Sequence, residues 1–141
     1  MRRIDETISV SPQITPSEVN EIARAGFKTI VNNRPDEEEP GQPAGDAIRT
    51  VAETLGLSYH AIPVTHAGFS MPQVEAMRAA IEGAGGPVFA YCRSGTRSTN
   101  LWALAEASRG TDPETLVGKA ANAGYDISGI RPMLDALSGQ A

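Results

Sequence analysis

Apolar residues fall into two recurring patterns along the chain. Ile8-Ser9-Val10-Ser11, Phe27 to Asn32, Leu57 to Ile62 and Pro87 to Tyr91 are short runs rich in β-branched and aromatic residues, the signature of strands. Between them, apolar positions recur every three or four residues, as a half-buried helix requires. Val19, Ile22 and Ala23 share one such face; Ile48, Val51, Ala52 and Leu55 share another; Val74, Met77 and Ile81 a third. Punctuation agrees with this reading. Thr15-Pro16-Ser17-Glu18 and Ser70 with Gln73 have the form of capping boxes that open helices. Thr111-Asp112-Pro113-Glu114 has the same form, and Gly26, Gly56, Gly110 and Gly124 stand where helices stop. The pattern predicts further helices over Thr99 to Ser108, from Thr111 to Gly124, and over Ser128 to Leu137.

Strands that alternate with helices and read as near-continuous apolar runs belong to an α/β fold. The expected architecture is a mainly parallel sheet of four or five strands with helices on both faces, spanning residues 1–141 as one domain. Ligands on such sheets sit beyond the carboxyl ends of the strands. Three loops leave those ends: Asn33 to Pro43, Pro63 to Phe69 and Cys92 to Arg97.

Composition narrows the function. Apolar residues at 40% and charged ones at 21% suit an ordinary globular chain, and a net charge of −5 opposes nucleic-acid binding. No apolar run reaches the roughly 20 residues of a membrane span. The N-terminus turns acidic at Asp5-Glu6, without the apolar core of a secretory signal. A single cysteine, Cys92, excludes an internal disulfide and a multi-cysteine metal site. The expectation is a cytoplasmic protein without cofactor or metal.

Cys92 stands where a strand turns into a helix, in Tyr91-Cys92-Arg93-Ser94-Gly95-Thr96-Arg97-Ser98. Three features favour its thiolate, the reactive form. The helix expected to begin at Ser98 directs unpaired N–H groups at the loop, worth roughly 0.3 to 2 kcal/mol to an anion. Arg93 and Arg97 are permanent cations nearby. Gly95 adopts positive φ readily, so that successive amides converge into an anion-binding nest. Cys92 and Arg97 are therefore the candidate catalytic pair, and Arg93, Ser94, Gly95, Thr96 and Ser98 the candidate anion-binding set. Arg34, after a strand end, and His66 complete the candidates for substrate contact. His60, within a strand, is expected in the core; the run Asp36 to Glu39 is expected to be a solvated loop.

The loop resembles the Cys-Arg-x-Gly-x-Arg/Thr loop of rhodanese sulfurtransferases and, less closely in spacing, the Cys-x5-Arg loop of protein tyrosine and dual-specificity phosphatases. Only Arg93, Ser94, Gly95 and Thr96 separate Cys92 from Arg97. The order strand-Asn33-Arg34-Pro35, then Ile62-Pro63-Val64, then the cysteine loop is similar to that of dual-specificity phosphatases. With Ser11-Pro12-Gln13-Ile14, Glu39-Pro40-Gly41-Gln42-Pro43 and Ala123-Gly124-Tyr125-Asp126, nearly the whole chain resembles the small bacterial phosphatase-like (DUF442) family. That family also occurs fused to persulfide dioxygenases in beta-lactamase-hydrolase-like proteins, which implies a persulfide dioxygenase as partner. It implies a cysteine-phosphatase-like fold and an enzyme.

Phosphatases of this kind carry an aspartate after the Ile-Pro turn, whereas Pro63-Val64-Thr65-His66-Ala67-Gly68-Phe69 holds no carboxylate. General acid catalysis contributes roughly 10²- to 10⁴-fold; His66, or with less reach Asp36 or Glu37, is left to supply it. The short loop and the missing acid together point first to a sulfurtransferase that moves sulfane sulfur from thiosulfate or a persulfide through a Cys92 persulfide. A cysteine phosphatase with a phosphocysteine at Cys92 is the alternative, and an anion- or persulfide-sensing module a third reading.

Overall fold

The computed structural model describes residues 1–139. Five strands form one sheet: β1 (Arg2–Arg3), β2 (Ile8–Ser11), β3 (Thr29–Asn32), β4 (Ser58–Ala61) and β5 (Val88–Tyr91), in the order β1-β2-β5-β3-β4. Only the β1–β2 pair is antiparallel. The helices are α1 (Glu18–Arg24), α2 (Gly45–Thr54), α3 (Met71–Gly83), α4 (Thr96–Ser108), α5 (Pro113–Asn122) and α6 (Arg131–Gly139), with one 3₁₀ turn at Ser128–Ile130. This is the α/β fold with a mainly parallel, doubly covered sheet.

Because side chains alternate across a strand, β5 feeds both faces. Val88 and Ala90 join Met77, Leu101, Trp102, Leu104, Leu116 and Leu134 in a core under α3 to α6. Phe89 and Tyr91 face the other way, against Ile22 of α1 and Ile48 of α2. Helix α4 is buried from Leu101 to Ala105 without interruption and forms the central pillar.

Parallel register puts the last residues of the strands level: Ser11 and Asn32 both lie opposite Tyr91, and Ala61 lies opposite Asn32. The loops after β2, β3, β4 and β5 therefore emerge at one edge. Local signals hold at the helix starts. Thr15 N–H donates to Glu18 Oε1 at 2.8 Å, and Ser70 N–H donates to Gln73 Oε1 at 2.8 Å.

Three sequence expectations need correction. His60 is exposed, because β4 is an edge strand whose residues lie largely in solvent. Helix α4 begins at Thr96, two residues before Ser98, because Gly95 takes the N-cap position at φ +94°. At α5 the cap is Asp112, whose carboxylate accepts from Thr115 N–H at 3.3 Å. Among the described residues no helix is long and apolar enough to cross a membrane.

Candidate active site

The cysteine loop is anchored at both ends before any side chain acts. Tyr91 C=O accepts from Asn33 N–H at 2.8 Å, and Cys92 N–H donates to Ser11 C=O at 3.2 Å. At the far end Thr99 N–H and Oγ1 donate to Gly95 C=O at 3.0 and 2.8 Å. The left-handed conformation of Gly95 turns the chain back over the sulfur. Its N–H donates to Cys92 Sγ at 3.0 Å, a short approach that suits a charged acceptor. Cys92 is fully buried beneath this turn.

Arg97 sits in the first turn of α4. Its Nη1 and Nη2 donate to Glu38 Oε2 and Oε1 at 2.7 and 2.8 Å, and Nη1 also donates to Val64 C=O at 2.7 Å. The end-on edge of the guanidinium is thus taken by Glu38. Arg97 Nε donates to no oxygen of the described residues, and the guanidinium also interacts with the Cys92 sulfur. Glu38's hydrogen bonds hold Arg97 above its ordinary value; the negative charge of Cys92 adds to this, and burial opposes it.

Glu38 is itself clasped from a second side, as Arg34 Nε donates to Oε1 at 2.9 Å. The Arg97 hydrogen bonds first, then Arg34, bring the Glu38 carboxyl down to about 2 against the opposing effect of burial. It is an acceptor throughout the neutral range, and not a proton donor. Arg34 was expected at the substrate. The structure buries it instead, its remaining nitrogens donating to Gln13 Oε1 at 3.1 Å and Glu39 Oε1 at 3.0 Å. Glu39 also lies 3.6 Å from Arg93 Nη2. Two acidic residues of the expected solvated run are therefore cross-linked to three arginines.

Above the loop opens a cleft of about 610 Å³ lined by Glu38, His66, Arg93, Ser94, Thr96 and Arg97. It brings together most of the residues singled out from sequence. Arg34 and Ser98 do not line it, and Cys92 and Gly95 are buried; Ser98 sits in the first turn of α4, its hydroxyl without a protein partner among the described residues. Asp36 turns away as well, accepting from Gly45 N–H at 2.8 Å at the start of α2, beside Tyr59 and Arg49. Of the three candidate acids, His66 alone lines the cleft. Sequence reasoning missed Glu38, although an acidic run leaving β3 next to an arginine loop leaving the adjacent β5 is a readable charge match.

Residues 1–109 match the family described as Beta-lactamase hydrolase-like protein, phosphatase-like domain. A Beta-lactamase hydrolase-like protein of Xylella fastidiosa is 38% identical over 107 residues, 76% of this chain and 25% of the relative. The chain thus spans about a quarter of the length of such relatives. A crystal structure of a candidate phosphatase from Neisseria meningitidis superposes with a TM-score of 0.81 at 37% identity, covering 96% of each chain. Tk-PTP in its active form shares the fold, with a TM-score of 0.75 at 23% identity over 99% of this chain and 97% of its own. These likenesses correct the sulfurtransferase expectation. A loop one residue shorter still sets its arginine on the first turn of the helix, beside the cysteine, within a frame shared with phosphatases.

Proposed function

The chain belongs to the family of phosphatase-like domains of beta-lactamase hydrolase-like proteins, and on that premise we propose that it is a cysteine-dependent phosphatase acting on phosphate monoesters. One observation carries the reading: the sulfur of Cys92, fixed by Gly95 N–H at 3.0 Å, beside an arginine that Glu38 holds in place through Nη1 and Nη2.

The phosphoryl group seats over the N-terminus of α4, whose amides and dipole favour negative charge. Arg97 Nε and Nη2 clamp two of its oxygens, a bidentate fit that lysine cannot reproduce. With Cys92 buried, the sulfur meets only a group seated in the cradle itself. Its lone pair attacks phosphorus, the S–P bond forms and the bond to the ester oxygen breaks. His66 gives that oxygen a proton, and the free alcohol leaves. Water then attacks phosphorus, His66 takes the water's proton, the S–P bond breaks and inorganic phosphate departs. Throughout, Glu38 keeps the guanidinium turned toward the substrate.

The shared fold of a candidate phosphatase at 37% identity supports this assignment. Hydrolysis of p-nitrophenyl phosphate by the wild type, abolished in Cys92→Ser, is the expected result. A wild-type protein without turnover, or turnover that survives Cys92→Ser, defeats it.

A further inference from the structure

The cysteine loop has a neighbour from a distant part of the chain, beyond the residues matched to the family. Tyr125 Oη donates to Ser94 C=O at 3.1 Å. Ser94 C=O and Gly95 N–H belong to one peptide unit, and in a trans peptide these two groups point in opposite directions. No cis peptide is present among the described residues. A hydroxyl that holds the carbonyl on the outer side therefore aims the N–H inward, and Gly95 N–H is the donor that meets Cys92 Sγ at 3.0 Å.

Two glycines make room for this arrangement. A Cβ on Gly95 would collide with the Tyr125 hydroxyl, so the close approach itself requires glycine there. Gly124, at φ +95°, ends α5 in a Schellman turn: its N–H donates to Ala121 C=O at 2.9 Å, and Tyr125 N–H donates to Ala120 C=O at 2.9 Å. That turn throws Tyr125 back toward the loop. A Cβ on Gly124 would displace the Arg2 guanidinium, which lies 5.6 Å from the centre of the Tyr125 ring and donates to Ala123 C=O at 2.9 Å. The ring is thus fixed from both sides. Burial raises the phenol above its ordinary value; Arg2 pulls it down and the charge of Cys92 pushes it up.

We propose that Tyr125 is a positioning residue for the phosphatase reaction, holding the Ser94–Gly95 peptide so that its N–H stabilises the Cys92 thiolate. This rests on the phosphatase reading only for its effect on turnover. The effect on the thiolate stands apart from that reading.

Tyr125→Phe deletes the hydroxyl and keeps the ring. The test compares it with the wild type in iodoacetamide alkylation of Cys92 against pH and in p-nitrophenyl phosphate kinetics. The proposal expects the alkylation profile to move to higher pH by roughly half a unit to one unit, the size of one neutral hydrogen bond. It expects kcat/KM to fall about three- to tenfold at neutral pH, with most of the loss recovered at alkaline pH. A Tyr125→Phe protein with the wild-type alkylation profile overturns the proposal. One that loses its native circular dichroism also overturns it, since the hydroxyl would then hold the fold and not the loop. A wild type that alkylates as expected but hydrolyses no phosphate ester defeats the phosphatase reading and leaves the Tyr125 assignment to the alkylation result.

Discussion

Glu38 Oε1 accepts from Arg97 Nη2 at 2.8 Å and from Arg34 Nε at 2.9 Å, so one carboxylate oxygen ties the loop after β3 to the first turn of α4. The side chains of Glu38 and Arg97 are 18% and 20% exposed, whereas Arg34 is buried. This shared oxygen fixes the orientation of the Arg97 guanidinium.

Glu38→Gln keeps the shape but loses the charge and one of the paired acceptor oxygens. It leaves Arg34 with Glu39 as its remaining acidic partner. Loss of a charged hydrogen-bonding partner costs about 1.5 to 3 kcal/mol. Steady-state kinetics with p-nitrophenyl phosphate are expected to show kcat/KM reduced about 10- to 100-fold, with thermal stability lowered. Wild-type kinetics would show that Arg97 needs no such support.

The same residue sets an acid limit. Glu38 binds its proton near pH ~4.3 when unfolded and at about 2 when folded. A depressed carboxyl contributes stability that is full above the unfolded value and lost as pH falls through the folded one. The Tm difference between wild type and Glu38→Gln is therefore expected to be constant above about pH 5 and to shrink steadily toward pH 2. A difference that stays unchanged down to pH 2.5 contradicts the pairing.

His66→Asn should discriminate by leaving group. A p-nitrophenolate leaves unaided, while an alkyl oxygen needs a proton. In kcat/KM, which reports formation of the phosphocysteine and not its hydrolysis, the variant is expected to stay within a few-fold on p-nitrophenyl phosphate and to lose roughly 10²-fold on an alkyl phosphate. Equal losses on both substrates would remove His66 from the acid's role.

Asp36→Ala tests the residue that the structure turns away from the cleft. Its carboxylate satisfies Gly45 N–H at the start of α2, so its loss should cost about 1 kcal/mol of stability in chemical denaturation. Turnover of either substrate is expected to stay at the wild-type level.

The parts of this account that local physics dictates were legible from residues alone. Alternating strand and helix periods announced the parallel sheet, and the glycine between two arginines after a strand announced the cradle at Cys92. What escaped was long-range pairing. Glu38 meets Arg97 across 59 positions, and Tyr125 meets Ser94 across 31, so neither carries a short-range signature. His60 looked like core because its strand has ordinary β-composition; only the strand order reveals that β4 is an edge. The start of α4 was misplaced for a related reason, since a left-handed Gly95 caps the helix without a side chain. Loop length alone points to the wrong chemistry, because the four-residue spacing between Cys92 and Arg97 still leaves Arg97 on the first turn of α4.

The central claim is a phosphoryl group carried on the sulfur of Cys92. Rapid acid quench of the enzyme during turnover of p-nitrophenyl phosphate, followed by mass spectrometry of the peptide that bears Cys92, measures it directly. The account predicts a peptide heavier by one phosphoryl group, formed at the rate of the nitrophenol burst and absent in Cys92→Ser. Turnover with an unmodified Cys92 peptide at every quench time would contradict it.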